Sequence, residues 1–199
     1  MIINILTDQE LRDKLAVLAQ QGFTQIKFSG GTAKNGEHYS GVELYYFNPK
    51  NKTLYFLGLP SNPTFHVKGD DESKYAKPEG ESPKETGIRE AKEETGYIIE
   101  AKDLIEIPKA EKMVPGKHPN PNQTHTKKFF LAGEFSGEMH NFEGPNPKDA
   151  EIAAPLWFPA KMFKKILTKS HQEGLKEGCE ILMATDRDIC MSILDLYPE

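Results

Sequence analysis

The sequence predicts an α/β protein on three observations: a capped helix over residues 83–95, a strand pair over 42–59 ahead of it, and further strand-like runs over 98–112 and 127–135 behind it. Each element has its own local signals. Thr7-Asp8-Gln9-Glu10 is a capping pattern, and Leu11, Leu15 and Leu18 then recur at helical spacing up to Gly22, which predicts an amino-terminal helix. Thr24 to Ser29 alternates around Ile26 and Phe28 and reads as a strand ending at Gly30-Gly31. A loop through Asn35 and Gly36 leads to Gly41. Val42 to Phe47 and Thr53 to Leu59, joined by Asn-Pro-Lys-Asn-Lys, form the clearest hairpin of the chain. Its aromatic residues Tyr45, Tyr46, Phe47, Tyr55 and Phe56 suit cross-strand packing better than stacking on a ligand.

The helix at 83–95 is bounded at both ends. Ser82 and Glu85 make a capping box, and Pro83 takes the first helical position, where its missing N–H costs nothing. Gly96 supplies the left-handed residue after Thr95. Beyond it, Ile98 to Lys112 holds one or two strands, Met113 to Thr126 reads as a long loop with His118 and His125, and Lys127 to Phe135 is a strand. A second long loop spans Ser136 to Asp149. A strand ending at Trp157-Phe158-Pro159 follows, then a helix beginning over Lys161 to Leu167, and a closing helix from Ile181 to Leu196.

Chemistry concentrates on the capped helix. Glu90, Glu93 and Glu94 stand three and four residues apart, so they are neighbours on the helix surface. Two unit charges about 5 Å apart repel by roughly 3 kcal/mol at an effective dielectric near 20. Protonation relieves this by raising one pKa, and a hard divalent cation such as Mg²⁺ relieves it through oxygen ligation. A plainly solvated helix face is the ordinary alternative for a charge run. Gly87 and Ala91, one turn apart, would let the helix lie close against a sheet. Arg89 is placed to reach back to Glu81 with a bidentate contact.

The stretch from Glu81 to Tyr97 resembles the signature of the Nudix hydrolases, in which a loop glutamate is followed by Arg-Glu-x-x-Glu-Glu-x-Gly and an apolar residue. Glu81, Arg89, Glu90, Glu93, Glu94 and Gly96 fall in register with it, with Ala91 and Tyr97 in its apolar slots and Gly80 just before the glutamate. One position departs. Tyr75 stands where the family has its opening glycine; the family uses the backbone carbonyl there as a metal ligand, which a tyrosine also carries, although glycine adopts backbone angles that tyrosine resists.

The resemblance implies an α/β/α sandwich with a mixed sheet, as a single domain over 1–199 with residues 1–40 as an amino-terminal extension and 41–199 as the core. It implies Mg²⁺-dependent hydrolysis, with Mn²⁺ as the other candidate, of a diphosphate linkage in a nucleoside diphosphate derivative. The implied ligands are Glu90, Glu93, Glu94 and the Tyr75 carbonyl. Glu90 serves as base in part of the family, and Glu81 and Arg89 act as a structural pair. Glu151, in Glu-Ile-Ala-Ala-Pro-Leu-Trp-Phe-Pro, resembles a loop carboxylate that activates water elsewhere in the family; Glu138 and Glu143 compete for that role. The substrate stays open among nucleoside triphosphates, nucleotide sugars, ADP-ribose and dinucleoside polyphosphates. The alternative is a Nudix-fold module that binds a nucleotide or partner without cleaving it.

The whole chain sets bounds. Its 199 residues suffice for one domain with a buried core, and a formal charge of -5 argues against general nucleic-acid binding. Cys179 and Cys190 are its only cysteines and form neither a disulfide framework nor a zinc pattern, which fits a reducing cytoplasm. The short apolar run before Asp8 is no signal peptide, and no stretch approaches a membrane span, so the expectation is a soluble cytoplasmic protein. A homodimer is compatible with all of this.

Overall fold

The structure, a computed structural model, describes residues 3–33, 38–62, 80–107, 112–115, 124–140, 152–163 and 180–181. The chain forms two compact units that interleave along the sequence. One comprises Met1–Phe28, Tyr45–Lys68 and Glu138–Glu199; the other comprises Ser29–Leu44 and Gly69–Gly137. Among the described residues no helix is long and apolar enough to cross a membrane.

The first unit opens with helix α1 (Asp8–Gln20), where Thr7 and Glu10 cap each other reciprocally. Its buried residues are Leu11 and Leu15, spaced one turn apart, so one narrow stripe faces the core. Strand β1 (Gln25–Lys27) follows, and β4 (Thr53–Ser61) pairs with it antiparallel, Ile26 opposite Pro60. The end of β3 (His38–Asn48) completes the expected hairpin, Tyr45 opposite Phe56 and Asn48 opposite Thr53. β10 (Leu156–Pro159) lies antiparallel on β4. Aromatic packing fills the interior. Phe163 sits 5.4 Å from Phe28, 5.6 Å from Phe158 and 5.9 Å from Phe56, ring centre to ring centre. Trp157 and Phe158 are buried, as their place in a strand ending in proline predicts, and residues 160–163 begin the expected helix. Ile181 was expected to open the closing helix. It lies instead in strand β11 (Glu180–Ile181), parallel to β1, where its backbone finds sheet partners at Ile26.

The second unit is a mixed sheet with helix α2 (Pro83–Thr95) on one face. β2 (Ser29–Thr32) runs antiparallel to the start of β3, with Gly30 opposite Gly41. β3 is parallel to β8 (Thr124–Ala132), with Val42 opposite Phe130. β6 (Leu104–Glu106) and β7 (Lys112–Pro115) both pair antiparallel with β8. A short antiparallel pair, β5 (Tyr97–Ile98) and β9 (Ser136–Gly137), follows the helix, and a 3-10 turn spans Ala101–Asp103. Val42, Leu44, Ala91, Tyr97, Ile99, Phe129 and Phe130 are among its buried apolar residues.

Three expectations change here. Gly30-Gly31 does not end a strand; it forms the middle of β2, because a second strand start at Ser29 gives its backbone β3 as a partner. β3 begins at His38 rather than Val42. The segment Met113 to Thr126, read as loop, is at both ends a ladder, with Met113 opposite Thr126 and Val114 opposite His125. Its β-branched residues Val114, Thr124 and Thr126 suit a pleated pairing that prolines and asparagines elsewhere in the segment obscured.

Candidate functional site

The site lies wholly within the second unit and is built by α2, the loop before it, and strands β2 and β3. The helix ends are as the sequence dictates. Ser82 Oγ accepts from the Glu85 backbone N–H at 3.3 Å, Glu85 accepts from the Ser82 N–H at 2.8 Å, and Gly96 closes the helix at φ 81°. The hydrogen bonds from Ser82, side chain first and backbone second, hold the Glu85 carboxyl below its ordinary pKa.

Small residues let the helix approach the sheet. A Cβ on Gly87 would come within 2.9 Å of Val42 Cγ2, and Ala91, one turn on, is fully buried. That closeness brings the acidic residues to β2. Glu94 Oε2 accepts a hydrogen bond from the Gly30 backbone N–H at 2.9 Å. Glu90 lies against Gly31, where a Cβ would stand 2.3 Å from the glutamate's carboxyl carbon. Only glycine leaves that carboxylate its place.

Arg89 organises the remaining charges. Its Nε donates to Glu81 Oε1 at 2.8 Å and its Nη2 to Glu81 Oε2 at 3.1 Å, the bidentate fork expected from the sequence. Nη1 donates to Glu90 Oε1 at 2.7 Å and to Glu93 Oε2 at 3.1 Å. Burial works against the guanidinium charge. The hydrogen bonds and charges of Glu81 and Glu90 outweigh it, so the Arg89 pKa is raised above its already high ordinary value. Glu81 and Glu90 are largely shielded, whereas the Glu93 side chain is 59% exposed and reaches solvent.

The Arg89 guanidinium and the Gly30 amide both offset the repulsion foreseen among the three helix glutamates. Glu90 and Glu93 meet at Arg89, and Glu94 accepts from the Gly30 amide. Among the described residues no group of three His, Cys, Asp or Glu side chains is gathered around one point that could hold a metal ion. The donor chemistry still fits a hard divalent cation, since the helix offers carboxylate oxygens and neither sulfur nor imidazole beside them. The seat kept by Gly31 fits it as well, because it leaves room for a carboxylate between helix and strand.

Other expected residues fall elsewhere. Tyr75, Glu143, Glu151 and His118 lie outside the described residues, as does the closing helix beyond Ile181. Glu138 is exposed. Three contributors were not anticipated: the Gly30-Gly31 pair, read only as a strand end, and His38 and Thr86, whose side chains meet at 3.1 Å. Two adjacent glycines inside an alternating segment are a signal of close approach that was available. Thr86, next to Gly87 on the face that Gly87 and Ala91 mark as small, was another.

A family model described as NUDIX domain matches residues 77–177, just over half of the chain. The chain belongs to the Nudix family. No curated protein matches it. Among solved structures, this Nudix chain is similar to an Ap4A hydrolase from C. elegans at 18% identity, covering 77% of this chain and 94% of that one, with a TM-score of 0.35. It is similar to the NUDIX domain of Shewanella oneidensis NrtR, solved with ADP ribose, at 11% identity over 97% of this chain and 100% of that one, with a TM-score of 0.43. The T. brucei MERS1-RNA complex matches at 14% identity, covering 80% of this chain and 63% of that one, with a TM-score of 0.39. Family membership rests on the family model, and it makes the α/β fold with a mixed sheet a Nudix fold.

Proposed function

We propose that this Nudix domain hydrolyses a diphosphate linkage in a small nucleoside diphosphate derivative with the help of a divalent cation, Mg²⁺ or Mn²⁺. The observation that carries the reading is Glu90 seated against Gly31. A solvated helix face needs no glycine opposite it, and a sheet glycine weakens its strand unless something must come close.

A bound cation would neutralise the bridging phosphate oxygens and lower the pKa of the attacking water. Glu90, Glu93 and Glu94 would hold it. The Gly30 N–H orients Glu94, and Arg89 keeps Glu90 and Glu93 from repelling each other and ties Glu81 to the helix. Glu90 is a candidate base, and Glu151 is the other. By the family resemblance the Tyr75 carbonyl would be the remaining ligand. The cytoplasm is the proposed location and a nucleotide-type small molecule the proposed partner, in keeping with a net charge of -5 that disfavours general nucleic-acid binding.

Glu94→Gln tests the reading cleanly, because the amide oxygen still accepts from Gly30 while the charge is gone. Across a panel of nucleoside diphosphate derivatives, cation-dependent phosphate release should fall by at least about 100-fold, with an unchanged melting temperature. Undiminished turnover in that variant overturns the proposal. Stabilisation of the wild-type chain by a nucleotide without any product would favour the binding module instead.

A further inference from the structure

We infer that His38 and Thr86 form a positioning relay that sets Glu81 and, through Arg89, the carboxylates Glu90 and Glu93; the inference rests on the metal-dependent reading above. The relay follows from counting protons. Arg89 donates to both oxygens of Glu81, which makes that carboxylate an acceptor. Thr86 Oγ1 lies 3.0 Å from Glu81 Oε2 and has one proton, so it donates it there. His38 Nε2, 3.1 Å from the same hydroxyl, must then carry a hydrogen and donate to it. The opposite arrangement would set two lone pairs against each other at 3.0 Å.

Position gives the relay its purpose. Thr86 is fully buried and His38 is 9% exposed, so both are fixed by packing. Glu81 precedes the cap residue Ser82, where the helix no longer restrains the chain. Thr86 ties it to the helix, and His38 ties Thr86 to β3. Glu81 in turn fixes two nitrogens of Arg89, and the third nitrogen then decides where Glu90 and Glu93 rest. A threonine at a buried helical position costs propensity and must satisfy its hydroxyl. An alanine there would fold without either demand.

His38 and Thr86 are positioning residues, and the test separates that from packing. In the metal-free full chain, nitrogen-detected NMR of the imidazole should show His38 with its proton on Nε2. Mn²⁺ affinity, read by electron paramagnetic resonance, should weaken about tenfold in Thr86→Val and in His38→Leu. Thr86→Ser and His38→Gln each keep a hydrogen-bonding group in place and should restore it. Should Thr86→Val not fold, the His38 pair carries the same comparison. A proton on Nδ1 alone, affinity untouched by Thr86→Val, or a serine variant as weak as the valine one overturns the relay. A wild-type chain that binds no Mn²⁺ at all overturns the metal reading and the relay's purpose with it.

Discussion

Helices α1 and α2 each run 13 residues and each opens on a reciprocal cap, Thr7 with Glu10 and Ser82 with Glu85, yet they bury different things. α1 buries Leu11 and Leu15, and α2 buries Thr86, Gly87, Ala91 and Thr95. A buried leucine stabilises by about 1.5–3 kcal/mol through the area it removes from water, and the small residues of α2 offer far less. α1 is held by what its side chains bury. α2 gives up apolar contact for closeness, and closeness is what places Glu90 against Gly31 and Glu94 on the Gly30 amide. α2 thus gives its packing over to seating carboxylates.

Truncating the apolar stripe of α1 should produce the largest loss of stability. Leu11→Ala should cost about 2–5 kcal/mol by chemical denaturation, and the molecules that stay folded should bind Mn²⁺ as before. A small loss would mean that α1 also rests on something other than its leucines. Gly31→Ala probes the other side of the contrast. Its methyl must displace the end of the Glu90 side chain, a flexible group, so the melting temperature should hold while Mn²⁺ affinity falls about 10- to 100-fold. Affinity equal to wild type would show that the close seat of Glu90 does nothing.

The caps supply a control in which the two helices should agree. Thr7→Ala and Ser82→Ala should each cost about 1 kcal/mol in a denaturant titration. Unequal losses would mean that one cap does more than start its helix. The smallest effect is one of pH. The hydrogen bonds from Thr7 and Ser82 hold Glu10 and Glu85 below the ordinary 4.5. A carboxyl lowered in the folded state stabilises above its unfolded pKa and loses that contribution as pH falls through the folded value. Stability should therefore decline below about pH 4.5 with a slope that Glu10→Gln and Glu85→Gln each reduce. An unaltered slope in both would remove these caps from the acid response.

What the sequence reveals follows the range of the interaction. α2 is legible to the residue because Ser82, Pro83, Glu85 and Gly96 act within their own turn. The Arg89 to Glu81 fork spans 8 residues along one helix and its entry, and spacing alone anticipates it. The Gly30 to Glu94 bond spans 64 residues and the His38 to Thr86 contact 48, and local pattern flags a close approach at the glycines without naming the partner in either. The same holds for the ladder of Met113 with Thr126, which depends on pairing across an intervening segment rather than on composition. Spacing leaves the partners of the three helix glutamates unnamed for a related reason. Helical spacing says which side chains are neighbours, but the partner across the sheet, here the Gly30 amide, decides where each one turns.

The central claim, that the acidic face of α2 serves to hold a divalent cation, is tested most directly by calorimetric titration of Mg²⁺ into the wild-type chain and into the combined Glu90→Gln, Glu93→Gln, Glu94→Gln variant. The account predicts saturable binding in the first and none in the second, with the variant still folding cooperatively in metal-free buffer because Glu81 keeps both of its bonds to Arg89. Equal binding in the two chains, or none in either, would contradict it.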